Sequence, residues 1–431
     1  MFGSEPAAVR VGVLGCGTVG GALVTLLQRE APAIAERTGV RLEVARVAVR
    51  DPARARPVDL PPGALTGDAG SVVTDPGVDV VVELMGGVEP ARTLVLDALK
   101  AAKPVVTANK QLLALCGAEL FEAASAAGVD LLYEAAVAGA IPLIRPLRES
   151  LAGERIARVM GIVNGTTNYI LTRMTDEGAS YADALAEAQA LGYAEADPTA
   201  DVEGYDAAAK AAILATIAFG VQVVADDVHR EGITAVTPAD IAFAGRLGYV
   251  VKLLAVSEAV GTEVAVRVHP AMVPASHPLA AVRDAFNAVF VEGEAVGELM
   301  FYGRGAGGMP TASAVLGDLI DAAHNLQVGG RGRTAPMNRA VVRPMADLSS
   351  QYYLNINVVD RPGVLAAVAA VFGTHGVSIR SMEQEGLGDE ARLVFITHKA
   401  TERDVQATLA DLRHLDAVER VGGLLRVIGP E

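Results

Sequence analysis

The chain has 431 residues, 51% of them hydrophobic and 20% charged, with a formal net charge of −15, which allows two to four domains of about 100–200 residues, each with its own core. Scattered basic residues on so acidic a chain, no tryptophan and only 4% aromatics leave neither a cationic face for a phosphate backbone nor stacking platforms for single strands, so nucleic acid is excluded as a partner. Two cysteines, Cys16 and Cys116, make neither a disulfide framework nor a zinc site, and with no apolar run of about 18 residues and no secretory pattern in residues 1–10 the expectation is a soluble cytoplasmic protein without a membrane partner.

An apolar run over Val9–Leu14 reads as a strand, followed by a glycine-rich turn and a helix over 19–29. Further strand-type runs at 42–49, 78–84, 104–107 and 129–133 alternate with helical stretches at 90–100 and 111–127. Alternation of this kind predicts an α/β domain of Rossmann type over residues 1–140, a doubly wound parallel sheet with helices on both faces. From 141 to 302, longer helices mix with antiparallel-type strands such as 155–163 and 249–256, predicting an α+β domain for substrate binding and dimerisation. A second glycine-rich segment at 303–308 precedes a helix over 311–325 that should pack back on the first domain, so that the tract 303–345 completes it. Gly, Arg and Pro without periodicity mark 328–350 as a linker or an irregular crossover. The tail, 351–431, restarts with a strand at 353–358, a helix at 363–375, strands at 377–385 and 392–398, a helix at 402–412 and a strand at 418–427. This βαββαβ order predicts a small antiparallel sheet with two helices on one face.

The run Gly15-Cys16-Gly17-Thr18-Val19-Gly20 follows the first strand and opens the first helix, the context in which GxGxxG marks an NAD(P)-dependent dehydrogenase. Gly15 permits the tight turn, Gly17 lets the backbone approach a pyrophosphate, and Gly20 allows the helix to pack close to the strand. Thr18 and Val19 then sit at the helix N-terminus that faces the anion. The second strand ends in Val49-Arg50-Asp51. Arg50 would clamp a 2′-phosphate and favour NADP by roughly ten- to hundredfold. The alternative leaves Arg50 solvated, with Asp51 holding the ribose hydroxyls and NAD accepted.

Asn164-Gly165-Thr166-Thr167-Asn168-Tyr169-Ile170, Gly192-Tyr193-Ala194-Glu195-Ala196-Asp197-Pro198 and Gly204-Tyr205-Asp206-Ala207-Ala208-Ala209-Lys210 stand in the order found in homoserine dehydrogenases. With Thr107-Ala108-Asn109-Lys110 and Glu134-Ala135-Ala136-Val137-Ala138-Gly139, the chain resembles that family over about 9–345, in its long monofunctional bacterial form. The resemblance implies reversible, nicotinamide-dependent reduction of L-aspartate 4-semialdehyde to L-homoserine, in the branch leading to threonine, methionine and isoleucine. Reduction of an aldehyde builds charge on its oxygen and calls for a proton donor or cation beside it. Asp206 and Lys210, four apart on a predicted helix among alanines, share one face. By the resemblance Lys210 is the proton donor and Asp206 its partner, Lys110 reaches substrate or nicotinamide, and Glu195 holds the substrate ammonium. The carboxylate beside Lys210 favours its protonated form, so reduction should dominate near neutral pH and oxidation at alkaline pH. Thr107 and Gly303 would join the cofactor contacts. A monovalent cation, sodium, would be held by Glu134 and the carbonyls of Val137, Gly139 and Ile141. Arg304 stands where the family's second glycine loop has proline.

Asn357-Val358-Val359-Asp360-Arg361-Pro362-Gly363-Val364-Leu365 resembles the effector turn of ACT domains, in which Pro362 pre-sets the turn and Gly363 lets the backbone close on a ligand. That resemblance implies an amino-acid effector, threonine, bound between paired copies in a homo-oligomer, dimer or tetramer. An assembly module without a ligand is the alternative. Aspartate-semialdehyde dehydrogenase chemistry needs a nucleophilic cysteine, and neither Cys16 in the glycine loop nor Cys116 on a helix is suited to that. A non-catalytic sensor of cofactor and amino acid would not need Lys110, Asp206 and Lys210.

Overall fold

The first strand, β1 (Val9–Leu14), feeds helix α1 (Thr18–Thr38), and the chain continues through β2 (Leu42–Ala48), β3 (Leu65–Thr66), α2 (Ala69–Thr74), β4 (Val80–Glu83), α3 (Ala91–Lys100), β5 (Val105–Thr107), α4 (Lys110–Ala127) and β6 (Leu131–Leu132). In this computed structural model, which describes residues 7–56, 58–332, 337–386 and 390–429, the six strands form one parallel sheet in the order β3-β2-β1-β4-β5-β6. Valine dominates β1, β4 and β5 because both faces are covered. The helix Gly308–Val328 returns as expected: Ala312, Val315, Leu319, Ala322 and Ala323 share a core with Val9, Val11, Leu23 and Leu27. Helix α1 runs well past the expected end at residue 29. Pro32 lies inside it, but buried Ile34 anchors the last turns, and Gly39, at φ +70°, closes the helix by donating to Ala35 O. The strand expected at 129–133 shrinks to β6, because the chain turns into a 3₁₀ segment over Glu134–Ala136. These elements belong to one of two units, comprising Met1–Ile156, Ala212–Ala225 and Gly293–Ala340.

The other unit comprises Ala157–Ala211, Asp226–Glu292 and Val341–Glu431. Its centre is the antiparallel hairpin of Tyr249–Val260 and Glu263–Pro274, paired along the full length of both strands. The helices Gly165–Glu177, Tyr181–Ala190 and the N-terminal half of Tyr205–Phe219 belong here. The C-terminal strands and helices appear in the expected βαββαβ order: Ser349–Val359, Val364–Thr374, Ile379–Gly386, Glu390–Thr397, Glu402–Leu412 and Val418–Val427. Tyr352, Leu354, Ile356, Phe372, Leu393 and Phe395 centre its core.

Two further features depart from the sequence expectation. The C-terminal sheet is not separate: Val418–Val427 pairs in parallel with Glu263–Pro274 through Ala271↔Arg426 and Met272↔Val427, so one sheet runs through both parts of the unit. The tract 328–350 is also not structureless. Val342 bridges Val264, and the strand begins at Ser349 rather than at 353; residues 333–336 lie outside the described set.

Candidate functional site

The glycine loop has the backbone geometry that an anion requires. Gly15 sits at φ +98°, where a Cβ would lie 2.8 Å from Leu84 O, and a Cβ on Gly20 would lie 2.1 Å from Gly15 O. Gly17 is the α1 N-cap with no side-chain cap and with open space where a Cβ would point. The first-turn N–H groups, Thr18 and Val19 among them, therefore keep donors and the positive end of the helix for a ligand. From the other side of the loop, Gly308 comes so close that a Cβ there would lie 3.0 Å from Thr18 Cγ2. Cys16 is half-buried, and burial pushes its thiol up, the opposite of what a nucleophile needs.

At the end of β2, Val49 donates its N–H to Thr66 O. The Asp51 carboxylate accepts from Ala53 N at 2.9 Å, a local turn bond, while Arg50 is exposed with no side-chain partner among the described residues. Arg56 donates to the Asp51 and Arg54 carbonyls, both at 2.6 Å, and so stitches the following loop.

The sheet's C-terminal edge carries a hydrogen-bonded rim that sequence reading missed in part. Glu83, fully buried at the end of β4, accepts from Thr107 Oγ1 at 2.6 Å and from the N–H groups of Met85 and Gly86. Asn109 caps α4 by accepting from Leu112 N and donates to Gly87 O. Lys110 is the first residue of α4, half-buried. The Thr107 hydroxyl is thus already committed to Glu83. The one hint in the sequence was an acid closing a run of valines.

Glu134 does something unforeseen: its carboxylate accepts from Leu143 N (2.5 Å), Ile144 N (2.7 Å) and Arg145 N (2.8 Å), capping the turn beyond it. Its own N–H donates to Asp318 (2.7 Å), whose carboxyl burial pushes up to about 7. Val137, Gly139 and Ile141 are buried residues, and among the described residues no turn or loop hydrogen bond reaches their carbonyls; oxygen is the donor a hard cation takes. The Glu134 carboxylate, already taken up by three amides, and these carbonyls are all oxygen donors, and the described residues contain no cluster of three or more acidic, histidine or cysteine side chains. In the same region a Cβ on Gly303 would lie 3.1 Å from Ile141 Cγ1, and one on Gly139 would lie 2.4 Å from Gly305 O.

In the second unit, Lys210 Nζ donates to Asp206 Oδ2 at 2.7 Å and to Val163 O at 2.6 Å, with both side chains buried. Asn164 Nδ2 donates to Asp206 Oδ2 (2.8 Å) and Asp201 Oδ1 (2.7 Å), while its Oδ1 caps the helix Gly165–Glu177 through Thr167 N. Asn164 and Asp201 are therefore part of this cluster, which sequence reading limited to Asp206 and Lys210. Glu195 lies exposed in the turn at 192–198, where Thr166 Oγ1 donates to Tyr193 O; its carboxylate makes no hydrogen bond among the described residues. Lys110 belongs to the first unit and Lys210 to the second.

In the C-terminal part, residues 358–365 with Gln384 and Leu393 line a cleft of about 470 Å³. Gly363 starts the helix Val364–Thr374 at φ +91°, with no atom within 4 Å of where its Cβ would stand.

No described helix is long and apolar enough to cross a membrane. A bare helix start at the mouth of a parallel sheet, with a separate buried ammonium–carboxylate pair, is the equipment of a dinucleotide-dependent dehydrogenase, and the chain is an oxidoreductase of that class. Three family profiles match: homoserine dehydrogenase over residues 142–320, the homoserine dehydrogenase NAD binding domain over 15–134, and the ACT domain over 352–417. The homoserine dehydrogenase of Mycobacterium tuberculosis is 54% identical over 98% of both chains, and that of Corynebacterium glutamicum 51% identical over 98% of this chain and 96% of its own. The crystal structure of a homoserine dehydrogenase from Thiobacillus denitrificans superposes with a TM-score of 0.92 at 42% identity, covering 98% of both chains. The chain belongs to the homoserine dehydrogenase family.

Proposed function

We propose that Lys210, oriented by Asp206, is the proton donor in the reduction of L-aspartate 4-semialdehyde to L-homoserine, and the acceptor in the reverse direction. The observation that carries this reading is the buried ammonium, hydrogen-bonded to Asp206 and to the Val163 carbonyl. When bound, the dinucleotide supplies or accepts the hydride at the substrate carbon. The residues of the chain do the rest. Lys210 Nζ passes a proton to the substrate oxygen as charge develops there, and regains it from solvent; Asp206, itself held by Asn164, keeps Nζ aimed until then. Lys110 and Glu195 fix the substrate, Glu195 through its ammonium.

Gly15, Gly17, Thr18, Val19 and Gly20 would hold the pyrophosphate, Val49 and Arg50 the adenosine ribose, and Thr107, Lys110 and Gly303 the nicotinamide half. Asp51 is engaged in its own turn while Arg50 is unpaired among the described residues, which favours NADP over NAD. Sodium bound by Glu134 with the carbonyls of Val137, Gly139 and Ile141 would rigidify the loop against Gly303–Gly305. On this reading residues 1–140 form the nucleotide domain, completed from 303–345; 141–302 bind substrate and dimerise; and 351–431 regulate. Threonine would occupy the cleft beside Gly363 in a dimer or tetramer of a cytoplasmic enzyme of threonine and methionine biosynthesis.

Homoserine oxidation, followed by cofactor absorbance with NAD and NADP and with and without threonine, tests the reading. Oxidation abolished in Lys210→Ala is the expected result. Near-normal turnover in that variant overturns the assignment.

A further inference from the structure

The helix that carries Asp206 and Lys210 begins at Tyr205, directly after a tight turn at Gly204, φ +80°. What fixes that beginning is the segment 230–234. The Arg230 guanidinium stacks on the Tyr205 ring at 3.7 Å. Gly232 lies so close to the preceding turn that a Cβ there would meet Val202 O at 2.3 Å and Glu203 Cα at 2.7 Å. Ile233 N donates to Val202 O at 2.8 Å, and Thr234 Oγ1 to Glu203 Oε1 at 3.0 Å. Residues 202–205 are therefore clamped from one side by 230–234, immediately before Asp206.

Glu231, at the centre of the clamp, points its carboxylate the other way. It receives two hydrogen bonds from Arg426, at 2.7 and 2.8 Å, and one contact of 2.8 Å from His229, while its backbone N–H donates to Val268 O. Burial would raise the Glu231 carboxyl, but the bonds from His229 and Arg426 outweigh it and hold the group well below the usual carboxylate range. Arg426 belongs to the last strand of the C-terminal part, is 1% exposed, and is gripped again by Glu402 at 2.8 and 3.0 Å. Tyr352 OH also donates to Glu402, at 2.9 Å. The same residue, Arg426, lies at the parallel pair Ala271↔Arg426 that joins the two parts of the sheet. One guanidinium thus ties two carboxylates from different parts of the chain at the seam of the sheet, and a fork that saturates both cannot move without breaking charge-assisted bonds.

We infer that Glu231, held by Arg426 of the C-terminal part, is a positioning residue for the Asp206–Lys210 pair, so that a shift of the last strand is felt at the start of the catalytic helix. The inference rests on Lys210 acting as the proton donor. Reorientation of a reacting group by an ångström costs up to about a hundredfold in rate without any loss of binding groups. Neither Glu231 nor Arg426 needs to approach substrate for this to hold.

Glu231→Gln keeps the shape and removes the charge; Arg426→Lys keeps the charge and loses the fork. The two variants, their double and Lys210→Ala are compared for kcat per active site, counted by NADPH fluorescence titration, for KM, and for NADPH dissociation constant. The expected result is a fall in kcat of about tenfold in each single variant, with the NADPH dissociation constant within twofold of the parent, and a double variant no worse than the weaker single, because both act through one contact. Should Glu231→Gln fail to fold, Arg426→Lys decides the matter by the same criteria. A kcat within twofold of the parent in the folded variants, or losses that multiply in the double, overturns the inference. If Lys210→Ala itself turns over normally, the proton-donor reading falls and this inference with it; an inactive Lys210→Ala beside a normal Glu231→Gln sinks this inference alone.

Discussion

Replacing Asp206 by asparagine keeps the volume and one acceptor oxygen but removes the negative charge from beside Lys210. In the parent that carboxylate receives Lys210 Nζ at 2.7 Å and Asn164 Nδ2 at 2.8 Å, in a site where the two ion-pair side chains are 5% and 10% exposed. Too little water reaches the site to screen the loss, so it belongs to the buried regime, in which removing one partner of a pair costs about 3–5 kcal/mol. If most of that falls on the step in which Lys210 carries charge, kcat drops by about 10²–10³-fold at 1.36 kcal/mol per decade. Stopped assays of homoserine oxidation measure kcat, and fluorescence titration measures the NADPH dissociation constant, which should stay within twofold because the glycine loop is untouched. A kcat within threefold of the parent would refute the argument that this buried pair does the proton chemistry.

Gly20→Ala places a methyl 2.1 Å from Gly15 O, so the turn must open, and the affinity for both NADPH and NADH should fall at least about tenfold by calorimetry; unchanged affinity would remove the loop from the nucleotide site. Arg50→Ala should weaken NADPH by roughly ten- to hundredfold and leave NADH within twofold, and equal losses would return the ribose to Asp51. Burial, with Arg283 acting in the same direction, pushes Lys252 down to about 8, whereas an unfolded lysine titrates near about 10.4. Between these values the unfolded chain binds more protons, so stability rises with pH across about 8 to 10.4, and below 8 the full penalty of about 3 kcal/mol is present. Lys252→Met loses the bonds to Asn168 and Val282 at every pH, so the informative quantity is the change in its difference from the parent between pH 7.5 and 10.5 in urea unfolding; a constant difference contradicts the assignment. Threonine should inhibit the parent, and Gly363→Val, strained at φ +91°, should abolish that inhibition while leaving the uninhibited kcat intact; an inhibited variant would move the effector elsewhere.

The glycine loop was legible because each of its requirements is local: a left-handed turn at Gly15, an uncapped start at Gly17, and a close approach at Gly20 are properties of adjacent residues. The Asp206–Lys210 pair was legible for the same reason, as four residues on a helix share a face whatever surrounds them. Asn164 stood in a recognised motif, yet its double hydrogen bond to Asp201 and Asp206 spans about forty residues and has no periodic signature. The role of Glu83 was hidden in the same way, since its partner Thr107 lies on a neighbouring strand. Glu134 reads as an acid available to a cation, and only the folded turn shows three backbone amides already on it.

Sequence alone determined the alternating α/β unit, the βαββαβ tail, the glycine loop and the helix that bears the lysine, because hydrophobic period, glycine placement and short spacing act along the chain. Tertiary structure decided how the parts of the second unit join. The parallel pairing of Val418–Val427 with Glu263–Pro274, and Arg426 between Glu231 and Glu402, bring together residues up to 195 positions apart. Bonds of that span are selected by packing and desolvation in the folded state, and no local preference records them.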